Sequence, residues 1–463
     1  MNWKPRTSLE KSGMRIVRFL HREGHQTFFV GGFVRDFLLR RKSDNLDVTT
    51  SARPEQVEKV LRELDLPVKR VGKQWGTLLT IVKSVPIEIT TFRSEGKYSD
   101  KRHPDKVNFI KDYREDAKRR DFTINALYFN PIKRELLDPV GGLRDMKARL
   151  IRFVGDPKKR IDEDHLRMLR AVRFSAQFGF KLEKNSFAAI KTRAKYIQGI
   201  PSERVKSELD KILLSKNRVQ GMRLLDQVDL LKFLIPEFEP LKNFYHKSKH
   251  YHLEGSQFEH ALLVLSGVKV RNINLFYAAL LHDIGKPMVG QEAIKDEGQV
   301  ISTKGHEQAS REIFLGFARR LRFSRNDKEA VAWLIEHHGK RSFLKMTPEE
   351  QAMYAFNENF NLLLDLWRAD LEGNIMTSAN EWYRRRSVRV LEIGSRFLRQ
   401  INNKKTLIDK LAKGELIMKL SDLKPGRALG QKISEVKTQI VLGKIKNVKD
   451  LKAILQNGRT AIS

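Results

Sequence analysis

Apolar residues follow two different spacings along this chain, and the change from one to the other falls near residue 150. Before that point, residues 77–82 and 87–92 alternate apolar and polar positions as strands do, whereas residues 8–22 and 54–64 carry apolar residues at helical spacing. This mixture predicts a small mixed β-sheet flanked by helices over residues 1–150.

Beyond residue 151 strand patterns become rare, and helical spacing continues almost throughout. Pro236 and Pro240, followed by a stretch rich in Tyr, His and Lys, mark a boundary within this helical part. We therefore predict an α+β protein with a mixed-sheet head over residues 1–150. All-helical segments then follow over residues 151–241, 242–372 and 373–463.

The chain is strongly basic. Its 89 Lys and Arg residues outnumber its 56 Asp and Glu residues and leave a net charge of +33. An excess of this size and sign favours a polyanionic partner, and nucleic acid is the leading expectation. A host with generally basic proteins is the alternative explanation.

The chain contains no cysteine, which excludes disulfide-linked partners, thiolate zinc sites and cysteine nucleophiles. No apolar run approaches the length of a membrane span, and the first eleven residues lack the apolar core of a signal peptide. We expect a cytoplasmic protein with no membrane partner, in which any metal is held by histidine, carboxylate or water.

A glycine pair near the start of the chain defines the first candidate site. An apolar run leads into Gly31 and Gly32, then a short helical segment carries Arg35, and an extended segment carries Asn45 and Asp47. Glycines let backbone N–H groups close on a polyphosphate, and an arginine adds charged donors. Residues two apart on a strand share a face, so Asn45 and Asp47 could ligate Mg2+ together. A simple tight turn is the alternative.

Two further stretches add candidates to this site. If the strand with Glu88 pairs beside the strand with Asp47, Glu88 becomes a third acidic group; an ordinary solvent-facing carboxylate is the alternative. Residues 94–120 are charged and poor in apolar residues, which predicts a long mobile loop with lid-like residues 95–104. Arg120, Asp121 and Asn125 at its end could hold a triphosphate and a ribose hydroxyl, or form a solvated basic surface.

Arginines recur at three-residue steps in the helix predicted over residues 162–178. Helix-dipole complementarity explains its opening acidic residues but not Arg167, Arg170 and Arg173, which form a basic face on an otherwise apolar helix. Asp164 lies three residues before Arg167, so the two are neighbours on a helix surface. A carboxylate accepts from the amine that cytosine and adenine share, and an arginine donates to ring acceptors. The pair could therefore select C and A over U and G.

An ordered set of histidines and aspartates lies on or beside helices between residues 260 and 370. A lone buried histidine is usually a core residue, but imidazoles and carboxylates from several helices suit a divalent metal that activates water against a phosphate. The predicted ligands of this metal are His260, His282, Asp283, His306, His337 and Asp370.

Together these residues resemble the class II tRNA nucleotidyltransferases, the CCA-adding enzymes of the bacterial poly(A) polymerase family, in the form with an HD domain. The resemblance spans nearly the whole chain. Its motifs are the metal and phosphate motif from Gly31 to Thr50, the ribose and triphosphate motif from Arg119 to Asn125, the hinge turn Asp138 to Gly142, the base template Glu163 to Arg167, the motif Ser202-Glu203-Arg204 with Glu208, and the HD ligands His260, His282, Asp283 and Asp370.

The resemblance implies an enzyme that transfers C, C and A from CTP and ATP to the 3′ end of tRNA without a nucleic-acid template. It implies Mg2+ at the head and a divalent metal at the HD site. The four segments become a nucleotidyltransferase head (1–150), a nucleotide-selecting neck and body (151–241), an HD domain (242–372) and a basic tail that contacts tRNA (373–463).

One position departs from the family pattern. Asn45 stands where the family has an aspartate, and strand alternation predicts that the neighbouring Asp44 points to the opposite face. Asn45 still offers a carbonyl oxygen, but the site has one negative charge fewer for Mg2+.

Two alternative functions follow from these observations. One is a poly(A) polymerase or an enzyme that adds only A. The other is an HD phosphohydrolase whose weakened nucleotidyltransferase site only binds RNA.

Overall fold

The computed structural model describes residues 3–43, 45–70, 75–83, 85–96, 98, 105–245, 253–295, 298–377 and 381–457. The chain divides into two compact units, Met1–Leu234 and Ile235–Ser463. The first contains a mixed sheet with helices around it and the second is almost wholly helical, which confirms the predicted α+β class. Within the ranges given above, no helix combines the length and the apolar character needed to cross a membrane.

A six-stranded mixed sheet forms the centre of the first unit. The strands of this unit's head are β1 Thr27–Val30, β2 Leu46–Thr50, β3 Thr77–Val82, β4 Val85–Thr91, β5 Arg93–Glu95, β6 Val107–Phe109, β7 Tyr128–Asn130 and β8 Glu135–Leu137. The sheet order is β3-β4-β2-β1-β7-β8. β1 runs antiparallel to β2, with Val30 opposite Asp47, whereas β2 runs parallel to β4, with Asp47 beside Glu88.

Three helices accompany the sheet: α1 Ser8–Arg22, α2 Gly32–Leu38 and α3 Pro54–Glu63. Thr7 and Glu10 begin α1 with a reciprocal capping box. The apolar faces of α1 and α3 join the sheet residues Phe29 and Val48 in one buried core. This packing holds the ends of β1 and β2, where the candidate site begins, on a rigid support.

The stretch predicted as a long loop contains regular structure. β5 and β6 pair as a short hairpin, and α4 Tyr113–Lys118 follows, with the Asp112 carboxylate accepting from the Arg114 backbone N–H. The prediction of an unbroken loop over residues 94–120 was therefore wrong, because strand pairing and a helix cap satisfy the backbone despite the polar composition. Residues 97 and 99–104 of the predicted lid, like Asp44, lie outside the described residues.

The helix predicted over residues 162–178 is two helices, α6 Pro157–Glu163 and α7 Arg167–Phe178. Asp164 has extended backbone angles (φ −144°, ψ 106°), and its carboxylate accepts from the Leu166 N–H at 3.1 Å. Local side-chain bonding of this kind competes with helix continuation. The other elements here are α5 Gly142–Lys147, β9 Leu150–Ile151, β10 Lys181–Leu182, α8 Lys184–Arg193, a 3-10 helix Ala194–Gly199, α9 Ser202–Leu213, α10 Arg218–Gln227 and α11 Leu231–Leu234.

Helices make up most of the second unit, with α13 packed along both α14 and α20. Its elements are α12 Glu239–Lys242, α13 Gln257–Gly267, α14 Ile273–Leu281, α15 Lys286–Val289, β11 Gln291–Lys295, β12 Gly298–Ser302, α16 His306–Arg320, α17 Arg325–Glu336, α18 Lys340–Lys345, α19 Pro348–Ala355, α20 Phe360–Gly373, α21 Glu381–Asn403, α22 Lys405–Leu411, α23 Gly414–Leu420, α24 Arg427–Val441 and α25 Val448–Asn457. Buried Trp367 donates its indole N–H to the His338 carbonyl at 2.8 Å, which fixes the chain around the histidines.

Candidate active site and histidine cluster

The glycine turn lies directly over Asp47. Gly31 has a positive φ of 71°, and a Cβ at this position would lie 3.0 Å from Asp47 Oδ2. The Gly32 N–H donates to the Asp47 carboxylate. Both a left-handed backbone and a close approach therefore require glycine at residue 31. The turn therefore holds its backbone against the carboxylate of the candidate metal site.

Asn45 and Asp47 share one face, as their spacing predicted. Asn45 Nδ2 lies 3.3 Å from Asp47 Oδ1, and the strand register places Glu88 beside Asp47. The strand pairing on which the Glu88 prediction depended is thus present. Asp47 and Glu88 offer carboxylate oxygens as metal ligands, and Asn45 can offer its amide oxygen. Hard divalent cations prefer oxygen ligands of this kind. In this structure the Asn45 amide nitrogen faces Asp47, so its oxygen must turn to act as a ligand.

Asp47 resists ionisation more than an ordinary aspartate. Burial and the Glu88 carboxylate raise its pKa to about 6, against the opposing charges of Arg120 and Arg35. Two close carboxylates repel one another until a cation or a proton lies between them. Repulsion of this kind between carboxylates is typical of a site that holds a divalent metal.

Arg35 is buried and fully engaged rather than an open phosphate fork. Its Nη1 donates to Asn125 Oδ1 at 2.6 Å and its Nε to Asp36 Oδ1 at 3.0 Å. The guanidinium also lies 5.1 Å from the Phe174 ring centre and 4.7 Å from that of Phe178. Arg35 therefore anchors the helix of the glycine turn to α7.

Arg120 is held by a carboxylate that sequence reasoning missed. Arg120 Nη2 donates to Asp116 Oδ2 at 3.1 Å, Arg119 Nε donates to Asp116 Oδ1 at 2.7 Å, and the Tyr128 hydroxyl donates to Asp116 Oδ2 at 2.7 Å. Burial would raise the pKa of Asp116, but these three partners lower it to about 2. The spacing of Asp116 from the two arginines, three and four residues on a helix, was the available signal.

Asp121 and Asn125 connect the head to α7. Asn125 Nδ2 donates to Asp121 Oδ1 at 3.1 Å, while Arg170 Nε and Nη2 both donate to Asp121 Oδ2, the former at 3.0 Å. Despite burial, Arg170 and Asn125 hold the pKa of Asp121 below its ordinary value. Arg35, Asn125, Asp121 and Arg170 thus form one continuous chain of hydrogen bonds.

The prediction that Asp164 and Arg167 lie on one continuous helix was wrong. Asp164 Oδ2 accepts from Arg204 Nη2 at 3.1 Å, whereas Arg167 Nη1 donates to Glu163 Oε2 at 2.6 Å and to the Arg160 carbonyl at 2.9 Å. The break between α6 and α7 removes the helical spacing that would have made them neighbours on one surface. Arg204, which belongs to the Ser202-Glu203-Arg204 motif, is therefore the residue that positions Asp164.

The basic face predicted on α7 is neutralised. Each of its arginines has an acidic partner: Glu163 for Arg167, Asp121 for Arg170, and Glu208 for Arg173, whose Nε lies 3.2 Å from Glu208 Oε2. Burying several guanidiniums in one interface is tolerable only when each is paired in this way. The helix therefore presents ion pairs, not an open basic surface.

In the second unit, two groups of potential metal ligands share Asp283. One comprises His260, His282 and Asp283, and the other comprises Asp283, His306 and His338. Asp283 Oδ2 lies 3.1 Å from His282 Nε2, and Asp283 Oδ1 lies 3.1 Å from His306 Nε2. Asp370 Oδ1 lies 3.2 Å from His260 Nε2. Five of the six predicted ligands therefore meet.

His337 is not among them. Its ring stacks on Trp333 at 4.6 Å, and its Nδ1 contacts the Trp333 carbonyl at 2.8 Å. The next residue, His338, lies in the cluster instead, with Nε2 3.0 Å from His306 Nε2. The sequence signal was ambiguous because α17 ends at Glu336, and the helix spacing no longer determines which of the two histidines turns inward.

Two buried lysines contact the carboxylates of the cluster and were not predicted. Lys286 Nζ lies 2.7 Å from Asp283 Oδ2, and Lys340 Nζ lies 2.5 Å from Asp370 Oδ2. Burial alone would raise the pKa of Asp283, but His282 and Lys286 hold it well below the ordinary value. Both aspartates are therefore charged, as metal ligands must be.

Three family models match the chain in order. Residues 27–152 match the poly A polymerase head domain, residues 179–242 match the model described as "Probable RNA and SrmB- binding site of polymerase A", and residues 258–362 match the HD domain. These matches confirm the resemblance that the sequence motifs indicated.

Curated relatives agree with these matches. The chain is 40% identical over 232 residues to a CCA-adding enzyme of Anoxybacillus flavithermus. This alignment covers 50% of this chain and 57% of that protein. It is 37% identical over 276 residues to the CCA-adding enzyme of Bacillus subtilis. This alignment covers 57% of this chain and 66% of the relative. The matched segments thus span between half and two thirds of these relatives.

Solved structures share the fold over almost the whole chain. The Bacillus stearothermophilus CCA-adding enzyme in complex with CTP has a TM-score of 0.67 at 23% identity, covering 98% of this chain and 99% of that one. The Thermotoga maritima CCA-adding enzyme complexed with tRNA has a TM-score of 0.61 at 19% identity, covering 98% and 97%. At these identities the comparison shows a common fold.

Proposed function

We propose that this chain, a relative of CCA-adding enzymes with a poly A polymerase head domain and an HD domain, adds C, C and A from CTP and ATP to the 3′ end of tRNA. The observation that carries the proposal is the glycine turn over Asp47, joined by the bonds of Arg35, Asn125 and Asp121 to the arginines of α7. This arrangement would connect the candidate phosphate and metal site with the candidate base-selecting site within one compact unit.

We propose Mg2+ as the metal of the head, held by Asp47 and Asn45, with Glu88 beside them. When bound, it would neutralise developing charge on the phosphate under attack. Glu88 would accept a proton from the attacking hydroxyl. The turn at Gly31 and Gly32 would let the triphosphate approach the backbone, while the Gly32 N–H holds the Asp47 carboxylate in place.

The other candidate nucleotide-binding residues belong to the hydrogen-bond network, so they would act through their charge and by positioning neighbouring groups. Arg35 and Arg120 would offset triphosphate charge, and Asp121 and Asn125 would position the ribose. Each of these groups already has a fixed partner, so their orientation is set before the nucleotide arrives.

Base selection would fall to Asp164, with Arg167, Arg170 and Arg173 behind it. Arg204 orients Asp164, and the carboxylate would accept from the exocyclic amine of cytosine or adenine. Uracil and guanine present a carbonyl at that position, which a carboxylate repels.

Transfer RNA would contact the basic helical segments through its backbone. Residues 179–242 carry the RNA-binding family match, and the exposed arginines Arg384 and Arg385 on α21 suit phosphate contacts. We accordingly propose the division into head, neck and body, HD domain and tail at residues 150, 241 and 372. A cytoplasmic location follows from this substrate.

A second activity, metal-dependent phosphohydrolysis, is favoured by the two ligand groups around Asp283. Imidazole and carboxylate ligands suit a divalent metal that activates water. Each ligand group would hold such an ion, and Lys286 and Lys340 would bring positive charge near the phosphate.

One experiment tests the main proposal. A tRNA that lacks its last three nucleotides is incubated with each labelled nucleotide, using the wild-type chain and an Asp47→Asn variant as control. Ordered addition of C, C and A by the wild type alone supports the proposal. A long A tail would favour a poly(A) polymerase, and phosphatase activity without incorporation would favour the hydrolase.

A further inference from the structure

The break between α6 and α7 is clasped by one segment of chain, residues 193–204. Three side chains of the break each contact that segment. Arg193 Nε donates to Asp162 at 2.8 Å, Arg204 donates to Asp164, and the rings of His165 and Tyr196 stack. Two of the contacts are ion pairs, which explains how the break is held. The third contact is an aromatic stack, and the ring of Tyr196 in it remains accessible.

The His165–Tyr196 stack has the geometry of a nucleobase platform. The ring centres lie 5.1 Å apart with an angle of 16° between planes, and Tyr196 is 43% exposed. A parallel aromatic pair with an exposed outer ring can accept a third ring on the same stack.

Positive charge accompanies the exposed ring. The ammonium of Lys195 lies 5.3 Å from the Tyr196 ring centre, and Lys195 is itself exposed. An aromatic face beside an accessible cation is the combination that binds a base and its adjoining phosphate in single-stranded RNA. Both residues also fall inside the RNA-binding family match.

We propose that Tyr196, supported by His165, stacks on the unpaired base at the 3′ end of the RNA substrate. His165 directly follows Asp164 in the chain, and both side chains contact residues 193–204, so the platform lies on the same break as the candidate base-selecting carboxylate. Tyr196 would then position the RNA substrate and not the incoming nucleotide. This inference rests on the proposed addition of nucleotides to an RNA 3′ end.

A fluorescent RNA tests the proposal directly. A tRNA lacking its last three nucleotides carries 2-aminopurine as its 3′-terminal base, whose emission falls when it stacks. Saturating wild-type protein, without nucleotide, should quench the emission, and Tyr196→Phe should do the same. Tyr196→Ala and the bulkier Tyr196→Leu should leave the emission near that of free RNA. Tyr245→Ala, which removes another exposed tyrosine, is the matched control and should quench normally.

Steady-state kinetics supply the second measurement. In Tyr196→Leu the KM for the RNA should rise about tenfold, as expected for loss of one stacked base, with kcat and the KM for CTP unchanged. Thermal unfolding curves establish that the variants are folded. The proposal would be contradicted if Tyr196→Leu quenched the emission as strongly as the wild type does, or if only the KM for CTP rose.

The two proposals fail in different ways. Quenching that depends on Tyr196 without incorporation of C or A would support the platform and contradict nucleotide addition. Ordered addition of C, C and A with quenching that does not depend on Tyr196 would support nucleotide addition and contradict the platform.

Discussion

Asn45 Nδ2 lies 3.3 Å from Asp47 Oδ1, so the residue that departs from the family pattern contacts the carboxylate of the candidate metal site. An aspartate at residue 45 would fit in the same position. It would also add a second charge beside a carboxylate whose pKa is already raised to about 6.

Restoring that aspartate should strengthen metal binding. We expect Asn45→Asp to raise the rate of CMP incorporation at limiting Mg2+ by up to roughly tenfold, because a carboxylate replaces a neutral oxygen ligand. The measurement is a Mg2+ titration of single-turnover incorporation. A clear loss of activity at saturating Mg2+ would mean that residue 45 does not share the metal with Asp47.

The glycine turn offers a matched pair of substitutions. Gly31→Ala places a Cβ 3.0 Å from Asp47 Oδ2 at φ 71°, whereas Gly24→Ala has a similar φ of 81° with open space around it. Gly24→Ala should lose about 1 kcal/mol of unfolding free energy because its φ is positive, and Gly31→Ala should lose more because its ψ of −133° lies outside the left-handed helical region. Only Gly31→Ala should also weaken CTP binding, as measured by equilibrium dialysis. Equal CTP affinity in the two variants would contradict the phosphate cradle.

Selectivity among nucleotides should depend on the positioning of Asp164. Asp164→Ala and Arg204→Ala should both lower the preference for CTP over UTP, by about tenfold or more, because the carboxylate is lost or misoriented. The preference is measured as a ratio of kcat/KM values. Arg193→Ala, which releases Asp162 rather than Asp164, should keep wild-type selectivity. Unchanged selectivity in Asp164→Ala would remove Asp164 from the template role.

The adjacent histidines 337 and 338 should differ in metal binding. After removal of metal with EDTA and dialysis against Mn2+, His338→Gln should retain less metal per chain than the wild type, since it loses a ring 3.0 Å from His306. His337→Gln should retain the wild-type amount, because its ring stacks on Trp333. Metal content is measured by elemental analysis. If His337→Gln retained less metal than His338→Gln, His337 would be a ligand and His338 would not.

Asp116 should make the stability of the head depend on acid pH. Its folded pKa of about 2 lies below the unfolded value of about 3.9, so it stabilises the fold fully above pH 4 and loses that contribution as pH falls toward 2. The shift corresponds to about 2 to 3 kcal/mol. Urea unfolding of the wild type and Asp116→Asn between pH 5 and pH 2 measures it. The variant should show a shallower loss of stability, and parallel curves would contradict the prediction.

Local chemistry along the sequence determined the elements and most of the candidate residues. Alternation over residues 77–82 predicted β3, the two-residue spacing of Asn45 and Asp47 placed both on one face, and the glycine pair predicted a turn. These properties depend on side-chain spacing within one element, which the sequence contains directly.

Tertiary structure decided the partners. Asp164 pairs with Arg204, forty residues away, and Arg35 bonds Asn125 across ninety residues. The choice between His337 and His338 depended on packing around Trp333. Such contacts form because buried charges require partners, and the nearest partner in space is set by how helices pack, which spacing along the chain does not encode.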